Sequence, residues 1–148
     1  MKLNDLLNNI PIQAASCDLT AEVAGITLDS RRCKPGYVFC AVVGAESGVP
    51  GIRYAQKAVE NGAVCVLCDT DCPADLPFVR VADAELALAE VSANFYGHPA
   101  EKLRLIGVTG TNGKTTTTHL VRDILTHAGK KCGLIGTNEL MIGDQVIT

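Results

Sequence analysis

An α/β fold follows from three features of the sequence. Short apolar runs rich in β-branched residues recur along the chain, helical stripes separate them, and one strand-to-helix junction is a glycine-rich loop. The 148 residues suit one ordinary domain or two small ones, and 47% hydrophobic with 20% charged residues is a globular composition that excludes a disordered tail. A net charge of −3 gives no electrostatic footprint for nucleic acid or an anionic membrane. No apolar run reaches the ~18–20 residues of a spanning helix, so no transmembrane segment is expected. The opening MKLNDLLNNIPIQ is too polar for a signal-peptide core, which leaves a cytoplasmic location as the expectation.

Residues 1–82 form the first segment. Leu3, Leu6, Leu7 and Ile10 share one face of an expected helix over 3–9. Strands are expected at 22–28, 37–43, 63–68 and 77–82, with Pro35-Gly36 turning the chain before the second of them. Between strands two and three, Tyr54, Ala55, Ala58 and Val59 make a helical stripe that Asn61-Gly62 stops. Residues 83–148 form the second segment. Asp83 caps a helix over 83–97 with Leu88, Val91 and Phe95 on one side, and Pro99 follows its end. A strand at 103–109, a helix at about 114–128 burying Leu120, Val121, Ile124, Leu125 and Ala128, and a strand at 131–137 would complete a βαβ unit.

Seven cysteines (17, 33, 40, 65, 68, 72 and 132), an odd count without a secretory signal, point to free thiols. Cys65-x-x-Cys68-x3-Cys72 has a metal-site look, but on a strand Cys65 and Cys68 face opposite sides, and no histidine lies nearby. Buried small apolar residues are the expected role.

The chemistry concentrates in IGVTGTNGKTTTTH (106–119). Gly110, Thr111, Asn112 and Gly113 sit between an apolar run and a helix, where backbone N–H groups can turn inward on an anion and the helix start adds partial positive charge. Lys114 can reach the β- and γ-phosphates, the Thr115 hydroxyl can ligate a bridging Mg²⁺, and Thr116 can add its N–H or hydroxyl to a phosphate. The general pattern GxxxxGK[ST] wants glycine at position 108, where Val108 stands between Gly107 and Gly110. Nucleotide binding is the reading, against a plain glycine turn with a solvent lysine. His119 and His98 read as ordinary polar side chains.

The departure at Val108 narrows the family. VTGTNGKTTTT (108–118) resembles the nucleotide loop of the Mur ligases, and is most similar to the E-type branch. TLDSRRCKPGYVFCAVVG (27–44) resembles that family's amino-terminal domain through its DSR, PG and F-x-A steps, and FYGHP (95–99) precedes the nucleotide run as it does there. The resemblance implies a small amino-terminal α/β UDP-sugar-binding domain over 1–82, then the first βαβ part of a P-loop central domain over 83–148. It implies ATP and Mg²⁺ as cofactors, UDP-N-acetylmuramoyl-L-alanyl-D-glutamate and a diamino acid (meso-diaminopimelate or L-lysine) as substrates, and an acyl phosphate on the way to the amide. It implies a monomer for the whole enzyme, with Leu28 and Ser30 on the UDP end of the substrate. Arg31, Arg32 and Lys34 could help a diphosphate or form a solvated loop, and Asp29 could brace the turn. After Gly44 the chain reads AESGVPGIRY, with Pro50-Gly51 where the family has Asp-Gly, so no UDP contact over 45–51 is carried across.

Whole ligases of this family are longer, and their later metal-binding and amino-acid-recognition residues lie beyond Thr148. Two alternatives therefore stand beside the ligase reading: a catalytically inactive nucleotide- or UDP-binding module, and another Mur-type ligase.

Overall fold

The computed structural model describes residues 1–44, 48–137 and 139–147, and it divides into two compact units, Met1–Leu103 and Arg104–Thr148. The first unit is a five-stranded sheet in the order β1-β5-β4-β3-β2. Its strands are β1 (Ile12–Ala15), β2 (Gly25–Thr27), β3 (Tyr37–Cys40), β4 (Ala63–Cys68) and β5 (Phe78–Val81). β2 through β5 are parallel, and β1 closes one edge antiparallel to β5. The four expected strands are present: β4 fills its expected run, and β2, β3 and β5 are shorter than theirs. β1 carries only IQAA, too few residues to stand out as an alternating pattern.

Alternation along the central strands builds a core on each face. Val38, Cys40, Cys65 and Leu67 enter one core with Leu3 and Leu6 of α1 (Leu3–Leu6) and Ala87 and Val91 of α3 (Ala84–Tyr96). Phe39, Ala41, Val66 and Cys68 enter the other with Ala55 and Ala58 of α2 (Ala55–Glu60). Cys65 and Cys68 thus take opposite faces, as their odd separation requires. All seven cysteines are free thiols. The Pro35-Gly36 turn and the stop at Gly62 share one tight approach: a Cβ on Gly62, whose φ is +102°, would lie 2.8 Å from the Pro35 backbone.

The expected boundary near Ala82 moves. The compact unit runs on to Leu103 because α3 belongs to the first core, with Ala84, Ala87 and Val91 buried there and Leu88 and Phe95 packed alongside. Asp83 caps it, its Oδ1 accepting from the Leu86 N–H at 2.9 Å, and Gly97 ends it in the left-handed conformation. Asn94 Nδ2 then donates to the Leu6 and Asn8 carbonyls at 2.8 and 3.1 Å, tying α3 to the end of α1.

The second unit departs further from expectation. Residues 104–109 join no described ladder, and β6 (Gly133–Ile135) pairs antiparallel with β7 (Leu140–Ile142), which pairs antiparallel with β8 (Gln145–Ile147). Among the described residues the expected βαβ unit is therefore absent. In its place a meander turns at Gly143-Asp144, a two-residue hairpin step with Gly143 at φ +60°. Helix α4 (Lys114–His127) forms where expected but buries none of its residues; Leu120 is 57% and Ile124 67% exposed. Among the described residues of this unit, Leu134 and Met141 are buried. Among the described residues the apolar stripe of α4 is only partly covered. No helix of the described residues is long and apolar enough to cross a membrane.

Candidate nucleotide site

The glycine-rich loop delivers the chain into α4 through backbone that only glycine adopts readily. Gly110 sits at φ +144° and Gly113, the residue that opens α4, at φ +77°. No side chain caps α4, so the first N–H groups of the helix have no side-chain acceptor. A Cβ at Gly113 would meet nothing within 4 Å, and one at Gly110 only the Asn112 carbonyl at 3.7 Å, so the space over the loop is open. This is the arrangement an anionic oxygen needs: unpaired N–H donors, a helix N-terminus and no side-chain bulk.

Lys114 is the first residue of α4, and its Nζ donates to the Gly110 carbonyl, folding the ammonium back over the loop. Thr115 and Thr116 follow it, both exposed, while the Thr118 hydroxyl turns away to donate to the Thr115 carbonyl at 2.9 Å. Lys114, Thr115, Thr118 and His119 form one wall of an open groove of about 350 Å³; Gly136, Thr137 and Glu139 line it from the β6–β7 connection. His119 is more than an ordinary solvent-facing side chain: its Nε2 lies 2.9 Å from Glu139 Oε1, with both side chains about 30% exposed. That pair ties α4 to the connection after β6. Arg122 makes a second tie, its Nη1 to Met141 Sδ at 3.2 Å and its Nη2 to Asp144 at 3.3 Å. Sequence reading missed Glu139 because nothing in ELMIGDQVI set that carboxylate apart from surface charge.

The structure thus brings Gly110, Gly113, Lys114 and Thr115 together at the helix start, with Thr111 and Asn112 exposed on the same loop and Thr116 on the first turn. The donor set fits a nucleotide polyphosphate with Mg²⁺: open N–H groups and an ammonium for the phosphates, and a hydroxyl on Thr115 for a hard cation.

The second candidate group lies in the first unit. Ser30 opens a 3₁₀ turn, Ser30–Arg32, and is 7% exposed, whereas Leu28 is 53% exposed. Asp29 braces this turn. Its Oδ1 accepts from the Arg31 N–H at 3.0 Å, and its carboxylate takes a two-pronged ion pair from the Arg31 guanidinium at 2.9 and 2.8 Å. Those bonds hold the Asp29 carboxyl below its ordinary pKa. Arg31 is therefore already paired. Asn61 Nδ2 donates to the Ser30 carbonyl at 2.8 Å, so the end of α2 positions the Ser30 backbone. His98 lies near Asn94 and Glu101 at the end of α3, at 3.0 and 3.5 Å. In the 45–51 stretch, Ala45, Glu46 and Ser47 lie outside the described residues, and a Cβ on Gly51 would collide with the Val42 carbonyl.

The open loop at the start of α4 suits a phosphate, and comparison with known proteins gives the class. Residues 108–148 match the Mur ligase middle domain. Along nearly all of its length the chain is similar to enzymes of the Mur ligase family. It is 42% identical over 147 residues to the UDP-N-acetylmuramoyl-L-alanyl-D-glutamate--2,6-diaminopimelate ligase of Listeria monocytogenes, covering 99% of this chain and 30% of that enzyme. The enzyme of the same name from Syntrophomonas wolfei is 42% identical over 146 residues, 97% of this chain and 29% of its own length. The chain therefore spans about 30% of the length of the curated relatives it matches. A solved structure of a ligase of that name superposes with a TM-score of 0.73 at 23% identity, over 99% of this chain and 29% of its own, which shows the shared fold. The MurF ligase of Thermotoga maritima, solved in complex with ADP, superposes with a TM-score of 0.53 at 25% identity, over 78% of this chain and 25% of its own.

Proposed function

We propose that this chain supplies the UDP-sugar-binding module and the ATP phosphate loop of a ligase that adds 2,6-diaminopimelate to UDP-N-acetylmuramoyl-L-alanyl-D-glutamate in peptidoglycan synthesis. The observation that carries the reading is the loop itself: Gly113 at positive φ opening α4, directly followed by Lys114 and Thr115, without a side-chain cap. The ADP bound to the MurF relative supports a nucleotide at such a loop. The diaminopimelate in the names of the relatives favours that amino acid over lysine.

In this reading ATP supplies the phosphoryl group that activates the glutamyl carboxylate, and a cytoplasmic enzyme draws on the soluble UDP-sugar pool. The N–H groups from Gly110 to Lys114 bind and orient the phosphates. Lys114 exchanges the Gly110 carbonyl for phosphate oxygens, neutralising charge that grows in a highly anionic transition state. The Thr115 hydroxyl would hold Mg²⁺, and Thr116 would add a donor at the loop's edge. In the first unit, the turn that Asp29 and Asn61 brace presents Ser30 and Leu28 to the uridine diphosphate end of the substrate.

Binding is tested separately at each site. Titration calorimetry should show MgATP binding that Lys114→Ala abolishes or greatly weakens, and UDP binding that Ser30→Ala weakens while leaving MgATP alone. A second reading, a binding module without catalysis, is favoured by the exposed stripe of α4 and the unpaired 104–109 segment. Phosphate release that requires both MgATP and the UDP-sugar dipeptide would exclude it.

A further inference from the structure

The thiols that nucleotide chemistry leaves unused form a close pair. Among the described residues no group of three or more His, Cys, Asp or Glu side chains could hold a metal ion. Cys65 meets not its neighbours in sequence but Cys17, 48 residues away, with the two Sγ atoms 3.8 Å apart. Cys17 follows β1, the antiparallel edge strand, and Cys65 lies on β4 with β5 between them, so the pair reaches across β5 on the face that α1 and α3 cover. Cys65 is fully buried, whereas Cys17 is partly exposed. The chain just before Cys17 is held: the Ser16 N–H donates to the Phe78 carbonyl at 2.9 Å and its hydroxyl to the Leu76 carbonyl at 2.8 Å. Cys17 itself is in no strand, so its side chain can turn without breaking a ladder.

We propose that Cys17 and Cys65 are a peroxide-oxidisable dithiol, in which Cys17 is the entry thiol and Cys65 the resolving thiol, closing to a disulfide that fastens the end of β1 to β4. The Cys17 thiolate attacks one oxygen of a hydroperoxide; the O–O bond breaks, the sulfur becomes a sulfenic acid, and the other oxygen leaves as water or an alcohol after taking a proton. The Cys65 sulfur then displaces that hydroxyl, its proton leaving with it as water, and the S–S bond forms. The net change is two thiols and one peroxide to one disulfide and two hydroxyl products, two electrons passing from sulfur to oxygen. The sulfurs must approach from 3.8 Å to the ~2.05 Å of a bond. The environments assign the roles. Contact with the Cys65 thiol holds Cys17 below the ordinary thiol value, while that contact and burial push Cys65 well above it. The rival pair is poorly placed to start the reaction, because burial raises Cys68 to about 12 and Cys72 above its ordinary value as well.

The test treats the purified native protein with hydrogen peroxide, blocks remaining thiols with a maleimide, and maps tryptic peptides without reduction. Peptide 3–31 carries Cys17 alone, and peptide 58–80 carries Cys65, Cys68 and Cys72, so fragmentation of the linked species assigns the partner. The expected species joins Cys17 to Cys65, is lighter by two hydrogens than its two parts, and separates on reduction. Its appearance should raise the thermal midpoint of unfolding, and reduction should return it. Cys17→Ser, at the partly exposed position, should form no link and show no oxidant-dependent midpoint change. A Cys17 that remains open to maleimide, that ends as sulfinic acid beside a free Cys65, or that links to Cys68 or Cys72 overturns the proposal.

Discussion

Lys114→Ala is the sharpest probe of the phosphate loop. Lys114 is the first residue of α4 and is exposed, so its truncation leaves no cavity, and alanine is the best helix former for the position. The bond it gives up, from Nζ to the Gly110 carbonyl, is solvent-accessible and within the loop. The fold should therefore survive. What the variant loses is the charge-assisted contact with phosphate, worth about 1.5–3 kcal/mol, which is roughly a 10- to 150-fold rise in Kd for MgATP. The lower end applies if water screens the ammonium in the bound state, the upper if the phosphates exclude it. Calorimetric titration of wild type and variant measures the change, far-ultraviolet circular dichroism checks α4, and Lys131→Ala serves as a charge-matched control outside the loop. A Kd within twofold of wild type, with α4 intact, would refute the placement of the phosphates over this loop.

Three further outcomes follow from the same geometry. Gly113→Ala meets no steric obstacle but must hold φ at +77°, costing about 1–2 kcal/mol, so MgATP affinity should fall roughly 5- to 30-fold with no change in UDP binding. Asn61→Ala removes the bond that fixes the Ser30 carbonyl; a loss of about 0.5–1.5 kcal/mol predicts UDP binding weakened roughly 2- to 13-fold by fluorescence competition, with MgATP unaffected. Arg31→Ala should raise the Asp29 titration midpoint, followed by carboxyl carbon NMR, because Arg31 is the cause that lowers it. The sign is that of a depressed carboxylate: whatever Asp29 adds to stability is present above its unfolded-state value and is lost as pH falls through the folded one. An unmoved midpoint in that variant would mean the ion pair does not hold in solution.

The first unit was legible because its signals are local and redundant. Each parallel strand coincides with an apolar run, Asp83 and Gly97 bracket α3 with ordinary caps, and Gly62 stops α2 where Asn-Gly suggests. The edge strand β1 escaped notice because four residues cannot display a period, and its pairing to β5 is set by tertiary contact. The first compact unit runs past the expected boundary for a related reason: the stripe on α3 says that a core exists, not which one. At the candidate site, Lys114 and Thr115 were legible because glycine punctuation and helix start coincide there. Glu139 was not, because its meaning comes only from His119 standing 2.9 Å away across the groove.

The misreading of the second unit is the instructive one. LRLIGVT has the composition of a buried parallel strand, and KCGLIGT reads as its partner, yet the described chain pairs β6 with β7 and leaves 104–109 without a ladder. A parallel strand gains its stability from neighbours on both edges and cover on both faces. β6 reaches instead for β7, which a short connection brings close, because local antiparallel pairing costs little chain entropy. The same scarcity of cover leaves Leu105 at 71%, Ile106 at 57% and Ile124 at 67% exposed. The first unit, by contrast, covers both faces of its sheet from its own residues. It should therefore unfold cooperatively with its hydrogen-exchange protection concentrated in β3, β4 and β5, while α4 exchanges early. MgATP should then protect α4 selectively, since a ligand stabilises only the structure to which it binds. Equal protection of α4 with and without MgATP would detach the loop from the nucleotide.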